Sequence, residues 1–258
     1  MIQSIDTHAH LDHVANVDAA LKEADQAGVA AVVAVGIDLK SNQTNLTIQK
    51  RTHDPKIYVA LGMHPESLEN ISQVEIDECL KFVKDHIKSA CAVGEIGLDF
   101  WYKWARKSNE KKELQRKVFQ RQLDLAREFH LPVVVHSRGS WRECLNMTRA
   151  AEIKKCVFHW YSGPLDILDD ILKEGYLISA SPALSYSPPL QLAVKRAPIE
   201  QVLIETDSPV YFGEPEKGFR AGPKDVLRTL SSYATLTGVS EEQASQAFYD
   251  NSKFFFGI

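Results

Sequence analysis

The chain has 258 residues, of which 44% are hydrophobic and 25% charged, and its formal net charge is −4. These values are typical of a globular protein that buries a substantial core. The slightly acidic balance excludes attraction of polyanions by overall charge, so a nucleic-acid ligand would need a local basic patch or bound metal ions. The four cysteines have no Cys-x-x-Cys spacing, which argues against a disulfide framework or a zinc knuckle.

The sequence carries no signal for export or for insertion into a membrane. No charged segment followed by an apolar stretch opens the chain, and no apolar run approaches the roughly 20 residues that span a bilayer. We therefore expect a cytoplasmic protein without membrane contacts. No linker rich in Pro, Gly or Ser divides the chain, and we expect residues 1–258 to form a single domain.

Short apolar runs alternate with longer amphipathic segments along the chain. The eight runs predicted to be strands are Ile2–Thr7, Ala30–Ile37, Lys56–Met63, Ala92–Leu98, Pro132–His136, Cys156–His159, Tyr176–Ser179 and Val202–Thr206. Helical spacing of apolar residues is clear from Lys111 to His130, and Gly28 and Gly175 each follow a helical segment where a C-terminal cap is expected. The alternation, without an Asn-Gly hairpin signal, predicts an α/β protein with a parallel sheet covered by helices.

Polar residues at the ends of these strands indicate how the sheet is arranged. Eight strand–helix units favour a closed (β/α)8 TIM barrel, although an open, doubly wound sheet has the same local pattern. Six residues that could bind a metal follow or interrupt apolar strands: His8, His10, Glu95, His136, His159 and Asp207. In a barrel the carboxyl ends of the strands meet at one mouth, where such barrels place their chemistry. We therefore predict a TIM barrel with a metal site at its C-terminal mouth.

The first strand ends in two histidines separated by one small residue. On a strand, residues two apart point to the same face, so His8 and His10 would direct both imidazoles into one cavity. Neutral imidazole is a common ligand of divalent metals. The pair alone is weak evidence, since two surface histidines give the same pattern. The recurrence of metal-binding residues at other strand ends is what favours a metal site.

Six donors exceed what one tetrahedral zinc with an open position requires, and they suit two divalent cations a few ångströms apart. In this hypothesis Glu95 bridges the two cations. The ligands of one are His8, His10 and Asp207. The ligands of the other are His136 and His159. Because imidazole and carboxylate are mixed, zinc, magnesium, manganese, nickel and iron all remain open.

A pair of cations lowers the pKa of a shared water and neutralises charge at the centre that the water attacks. Asp207 could both bind a cation and take the proton of the water. The sequence contains no Gly-x-Ser-x-Gly motif, P-loop lysine or dinucleotide-binding glycine motif that would indicate other chemistry. The predicted reaction is therefore metal-assisted hydrolysis, with Asp207 and Glu95 as the catalytic carboxylates.

Five motifs, taken in order, resemble those of the TatD family of metal-dependent deoxyribonucleases. They are Asp6–His10, Gly62–Pro65, Gly94–Asp99, Leu131–Arg138 and Glu205–Pro209. The resemblance covers essentially the whole chain. It implies a TIM barrel of the amidohydrolase-like superfamily, a pair of divalent metals and hydrolysis of phosphodiester bonds in DNA. It also implies metal-binding roles for the six donors named above.

Two positions depart from the pattern of that family. Trp160 follows His159 where the family usually has cysteine, and Ala221 follows Arg220 where it usually has asparagine. The tryptophan is expected to reshape the pocket wall or to offer a base a ring to stack on. Without the amide of the asparagine, we expect this loop to lack the order that the asparagine would provide. Neither change affects a predicted ligand.

The loop after the fourth strand interleaves rings and cations. Its residues of these two kinds are Trp101, Tyr102, Lys103, Trp104, Arg106, Lys107, Lys111 and Lys112. Such a loop suits a DNA single strand, whose bases stack on rings and whose phosphates meet cations, but it also fits an ordinary solvated helix start. We predict substrate contacts for Lys103, for His64, and for Arg138, whose guanidinium can bind two phosphate oxygens.

Other polar and aromatic residues are interpreted as structural. Glu205 shares the inward face with Asp207 and is expected to lie behind the ligands. Structural or solvent-facing roles are expected for His13, His53, His86 and His130, and packing is expected for Trp141.

Two other functions fit the same site. One is hydrolysis of a small molecule, such as an amide, a cyclic ester or the ester of a mis-charged aminoacyl-tRNA. The other is a barrel that keeps its metals for stability and acts as a binding partner. A pocket covered by the loop from Trp101 to Lys112 would favour a small substrate, and an open groove lined by Arg138 and Lys103 would favour DNA.

Overall fold

The computed structural model describes residues 3–52, 54–214 and 216–258. Its main sheet has eight parallel strands, each paired with the next in chain order. The strands are β1 (Ser4–Ala9), β2 (Val29–Val35), β3 (Lys56–Leu61), β4 (Ala92–Gly97), β5 (Val133–His136), β6 (Cys156–Phe158), β7 (Leu177–Ala180) and β8 (Val202–Ile204). Each lies within about two residues of a predicted strand at both ends. Ile2 and His53, for which a strand position and a structural role were predicted, lie outside the described residues.

The sheet closes on itself between its last and first strands. The Asp207 N–H donates to the His8 carbonyl over 2.9 Å, and the His10 N–H donates to the Ser208 carbonyl over 2.8 Å. A parallel bridge pairs Ala9 with Ser208. These bonds lie just beyond β8 and join it to β1. The open, doubly wound alternative is therefore wrong, and the predicted TIM barrel is confirmed.

Helices surround the barrel. They are α1 (Val17–Gln26), α2 (Leu39–Arg51), α3 (Gln73–His86), α4 (Lys103–Arg106), α5 (Asn109–Glu128), α6 (Trp141–Ala150), α7 (Leu165–Lys173), α8 (Pro188–Arg196), α9 (Val226–Thr237) and α10 (Glu241–Phe256). Gly28 and Gly175 adopt φ of +92° and +75° just past α1 and α7, as predicted for helix ends. Within the described ranges, no helix combines the length and apolar character needed to cross a membrane.

The barrel interior is apolar below its polar mouth. Val134 and Val157 stand two positions before His136 and His159, so each valine shares the inward face with the histidine that follows it. Both valines belong to one buried apolar cluster that includes Phe255 of α10. The histidines therefore lie above an apolar layer and face the C-terminal mouth.

A short antiparallel hairpin, which the sequence analysis did not predict, lies between β8 and α9. It consists of β9 (Tyr211–Phe212) and β10 (Phe219–Arg220). The segment lacks an Asn-Gly turn, and Gly213 supplies the positive φ of +94° that a turn here requires. Ala221 is buried and its N–H donates to the Val210 carbonyl over 2.9 Å. Backbone pairing thus orders the loop in which the asparagine is missing.

Candidate metal centre and substrate cleft

The six predicted donors meet at the carboxyl end of the barrel around one carboxylate. Glu95, on β4, is only 2% exposed. Its Oε2 lies 3.3 Å from His8 Nε2 and 3.6 Å from His10 Nε2. Its Oε1 lies 3.0 Å from His136 Nδ1 and 2.8 Å from His159 Nε2. Two pairs of histidines therefore face the two oxygens of Glu95.

Asp207 joins the first of these pairs. Its Oδ1 lies 3.1 Å from His10 Nε2 and 3.6 Å from His8 Nε2. Its backbone has φ of +50°, in the left-handed region where a residue other than glycine is strained. The backbone hydrogen bonds between β8 and β1 hold the residue there. A strained backbone persists only where the surrounding structure holds it, and such residues are found mostly at functional sites.

The first group of donors fits a divalent cation. Among the described residues, both ring nitrogens of His8 and Nδ1 of His10 are buried without a hydrogen-bond partner. The four distances from the two Nε2 atoms to Glu95 Oε2 and Asp207 Oδ1 run from 3.1 to 3.6 Å. Ligands about 2.0 to 2.2 Å from a tetrahedral cation stand about 3.3 to 3.6 Å apart. Among the described residues, His8, His10 and Glu95 lie close enough together to share one ion, and Asp207 approaches both histidines.

Carboxylates behind the second group orient its histidines. His136 Nε2 lies 2.8 Å from Asp99 Oδ2, and His159 Nδ1 lies 3.3 Å from Glu205 Oε1. A carboxylate accepts a hydrogen bond from the protonated nitrogen, so each neutral imidazole keeps a lone pair on the nitrogen that faces Glu95. Such carboxylate–histidine pairs are typical of metal ligands. His136 and His159 therefore have the donor chemistry of metal ligands, while their distances to Glu95 Oε1 are those of hydrogen bonds. On this side of Glu95, the described donors that lie close enough together to share one ion are His64, Glu95 and His136.

His64 is close to the same carboxylate but has a different hydrogen-bond pattern. Its Nε2 lies 3.4 Å from Glu95 Oε1. Its Nδ1 accepts a hydrogen bond from the Glu66 N–H over 3.1 Å, so the neutral ring carries its proton on Nε2. Burial lowers the pKa of His64 and outweighs the opposite effect of Glu95, which favours the neutral form. Its Nε2 therefore donates a hydrogen bond. A protonated nitrogen suits a contact with a substrate oxygen, whereas a metal ligand needs a lone pair on that nitrogen.

Charges within the cluster stabilise one another. Burial raises the pKa of Glu95, but the surrounding histidines outweigh it and hold this pKa well below its usual range. Burial also raises the pKa of Asp207, yet His10 lowers it to about 2. Burial lowers the pKa of His10, but the hydrogen bond and charge of Asp207 raise it to about 9. A bound cation would replace the histidine protons as the positive partner of both carboxylates.

Asp99, which was not predicted as a site residue, connects the metal centre to the cleft. It is fully buried. Its Oδ2 accepts hydrogen bonds from His136 Nε2 and Arg138 Nε, both over 2.8 Å. Its Oδ1 accepts from the backbone N–H groups of Trp101 and Tyr102 over 2.8 and 3.2 Å. Its position at the end of the Gly-Leu-Asp motif was the signal that could have identified it.

Asp6 is a second site residue that sequence reasoning missed. It lies buried on β1, and its carboxylate accepts hydrogen bonds from the Thr206 N–H over 2.9 Å and from Thr206 Oγ1 over 2.6 Å. These bonds connect the strand that carries His8 to the segment that carries Asp207. The Asp-x-His-x-His pattern contained the clue, because the aspartate shares the inward face with both histidines.

A cavity of about 630 Å³ opens above the donors. Besides histidines, the aromatic and basic residues in its wall are Tyr102, Arg138, Trp141, Trp160 and Tyr186. Trp160 has φ of +42° and its ring centroid lies 5.3 Å from that of Phe212 in the hairpin. The departure from cysteine at this position therefore places a supported ring in the cleft wall.

The predicted substrate contacts differ in their distance from this cavity. His64 and Arg138 both line it. Lys103 is exposed at the start of α4, next to Tyr102, and is not among the residues that line the wall. His13, expected to be structural or solvent-facing, and Trp141, expected to pack, both line it.

Known proteins are similar to this chain over its whole length. The family profile described as TatD related DNase matches residues 5–257. Deoxyribonuclease TATDN3 of Homo sapiens is 30% identical, with 96% of this chain and 92% of that protein covered. An uncharacterized metal-dependent hydrolase of Methanocaldococcus jannaschii is also 30% identical, with 99% and 97% covered. The crystal structure of YjjV, a TatD homolog of Escherichia coli, has 25% identity and a TM-score of 0.88, covering 100% of this chain and 99% of its own.

Proposed function

Since the chain belongs to the TatD-related DNase family of metal-dependent hydrolases, we propose that it cleaves phosphodiester bonds in DNA at a centre that holds two divalent cations. The observation that carries the proposal is the arrangement of two histidine groups on the two oxygens of Glu95. A carboxylate in this position suits a bridge between two ions. The human relative is named a deoxyribonuclease, which supports DNA as the substrate.

The proposed ligands form two groups that share Glu95. One group consists of His8, His10 and Asp207. The other consists of His136 and His159. When bound, the cations supply an activated water and positive charge for the attacked phosphate. The mixed donors accept zinc, manganese, magnesium, nickel or iron.

Asp207 is assigned a second role as the acceptor of the proton that the attacking water loses. Its carboxylate belongs to the donor cluster and also lines the cavity, so it reaches the space that a substrate enters. A general base must lie within hydrogen-bonding reach of the proton it removes. The position of Asp207 in the cavity wall supports this assignment.

Arg138 and His64 are assigned to the substrate. In the described part of the chain, the guanidinium of Arg138 makes its hydrogen bond through Nε alone, to Asp99. Both terminal nitrogens therefore remain for two phosphate oxygens. His64 presents its Nε2–H near Glu95, where it can donate to a substrate oxygen. Lys103 is assigned to the phosphates of DNA that extends beyond the cavity.

We assign a single strand or an unpaired end as the form of DNA that is cleaved. Several rings line the cleft, and bases stack on protein rings when they are not paired with another strand. The chain has a net charge of −4, so electrostatic attraction must come from the cations of the cleft and its rim. A cavity of about 630 Å³ is also within the range of small-molecule sites, and this favours a small ester as the second candidate substrate.

The test uses metal-depleted protein that receives one cation at a time. End-labelled single-stranded and double-stranded DNA of one sequence are compared with a small chromogenic ester. We expect no turnover before metal is restored, and faster cleavage of the single strand afterwards. Full activity without metal would overturn the proposed centre. Turnover of the ester without cleavage of any DNA would show that the substrate is a small ester and not DNA.

A further inference from the structure

Trp101 is a large exposed side chain beside the cleft that the proposed reaction does not use. It follows β4 and is 57% exposed. A single exposed ring on a protein surface is normal and needs no explanation. This ring, however, is held in place by contacts that connect it to the metal centre.

The backbone of Trp101 is held by the carboxylate that orients a proposed metal ligand. The Trp101 N–H donates to Asp99 Oδ1 over 2.8 Å. The other oxygen of Asp99 accepts hydrogen bonds from His136 and Arg138, each over 2.8 Å. One buried carboxylate thus holds the Trp101 backbone together with the side chains of Arg138 and His136.

The ring itself is supported by a glycine and by a second tryptophan. A Cβ at Gly139, next to Arg138, would lie only 2.4 Å from Trp101 Cδ1, so the ring rests against the backbone of that segment. The ring of Trp141, which lines the cavity, is perpendicular to that of Trp101 with the centroids 5.5 Å apart. The contact with Trp141 brings Trp101 next to the cavity wall, and 57% of the residue remains exposed.

Neighbouring rings are already engaged. Tyr102 is stacked on Trp104 with centroids 6.0 Å apart, and the guanidinium carbon of Arg138 lies 5.0 Å from its ring centroid. Trp160 packs on Phe212. Of these rings, Trp101 is the most exposed, and it contacts Trp141 of the cavity wall.

We propose that Trp101 is a stacking platform for a nucleobase of the DNA single strand, at the position next to the phosphate that Arg138 binds. This inference rests on the proposed function. Stacking on an indole is available to every base, so the platform strengthens binding without selecting a sequence. A double helix, whose bases are stacked within the duplex, does not engage it.

The experiment measures kcat/KM with the metal-loaded protein and short single strands in which one abasic position is moved along the sequence. Trp101→Ala, Trp101→Phe and Phe254→Ala are compared with the unaltered chain. Phe254 is the matched control, because it is 77% exposed and belongs to α10. Removing a stacked base or its ring is expected to lower kcat/KM about 5- to 150-fold.

The expected result is that one abasic position lowers kcat/KM in the unaltered protein but has no further effect in Trp101→Ala. Trp101→Phe should restore most of the loss, and Phe254→Ala should behave like the unaltered chain. If Trp101→Ala lowered kcat/KM equally on intact and abasic strands, the substitution would only have disturbed the loop. That result would overturn the platform. Unchanged activity of Trp101→Ala would also overturn it while the nuclease proposal stands. An unaltered chain that cleaves no DNA would overturn both.

Discussion

The donor cluster lies beside an aromatic rim, which consists of Trp101, Tyr102, Arg138 and Trp160. The two regions are held in place by different kinds of contact. The donors are mostly buried on strand ends, and the two histidines of the second group each have a carboxylate behind them. The rim residues lie in loops, and Trp101 is held by contacts with Asp99, Gly139 and Trp141. The difference indicates that the donor cluster depends on the barrel, whereas the positions of the rim residues depend on a few loop contacts.

The strongest test of the barrel side is Glu95→Gln. The amide keeps the shape of the side chain but removes the charge between two groups of histidines, so it should no longer bridge two cations. We expect kcat/KM to fall by about 10³-fold or more, because metal catalysis contributes several kcal/mol to the barrier. Measurement of cleavage together with the number of bound ions checks this. Activity within about tenfold of the unaltered protein would contradict the central role of Glu95.

Asp99→Asn tests the connection between the two regions. Loss of a carboxylate behind a metal ligand costs about 10- to 100-fold in metal affinity or activity. Since Asp99 also holds Arg138 and the Trp101 backbone, we expect KM for DNA to rise as well. Glu205→Gln is the matched control, because Glu205 supports His159 from behind. Identical effects of the two substitutions on KM would show that Asp99 has no separate influence on the rim.

Arg138→Ala should act mainly on the rim side. A hydrogen bond between charged groups contributes about 1.5 to 3 kcal/mol, so kcat/KM for DNA should fall about 10- to 150-fold. Because Asp99 keeps its hydrogen bond to His136, metal affinity should change less than in Asp99→Asn. Arg138→Lys should recover only part of the loss, because an ammonium cannot bind two oxygens in one plane. Equal activity of the lysine and arginine proteins would argue against a forked phosphate contact.

Trp160→Cys, which introduces the residue usual in the family, should have the smallest effect. It removes a ring from the cleft wall and its packing on Phe212, an interaction of a kind worth about 0.5 to 1.5 kcal/mol. The hydrogen bond from its backbone N–H to Ser179 Oγ remains, so the path of the chain should persist. We expect kcat/KM to change by less than about tenfold, with metal affinity unaltered. A large loss of bound metal would show that Trp160 supports His159.

The barrel and its family were predictable from sequence, and both predictions are confirmed. Strand positions followed from short apolar runs, and the donors followed from their places at strand ends, because a parallel barrel brings all such ends to one mouth. The confirmed family carries with it the class of metal-dependent hydrolases. These features depend on local pattern repeated along the chain.

Features that depend on contacts between distant segments could not be predicted. Asp99 after a strand looks like a turn residue until His136, Arg138 and the Trp101 backbone are seen to converge on it. The proton position of His64 depends on the Glu66 N–H. The hairpin after β8 has no recognisable turn signal, and it forms through pairing that only the folded loop reveals.

The seam between the first and last strands has a consequence for synthesis of the protein. His8 and His10 emerge from the ribosome early, whereas Asp207 and the strand that positions it emerge late. An unfinished chain therefore lacks one of the carboxylates at this end of the barrel, together with the hydrogen bonds that join its two edges. We therefore expect an ion to bind more tightly to the completed chain than to one that ends before Asp207.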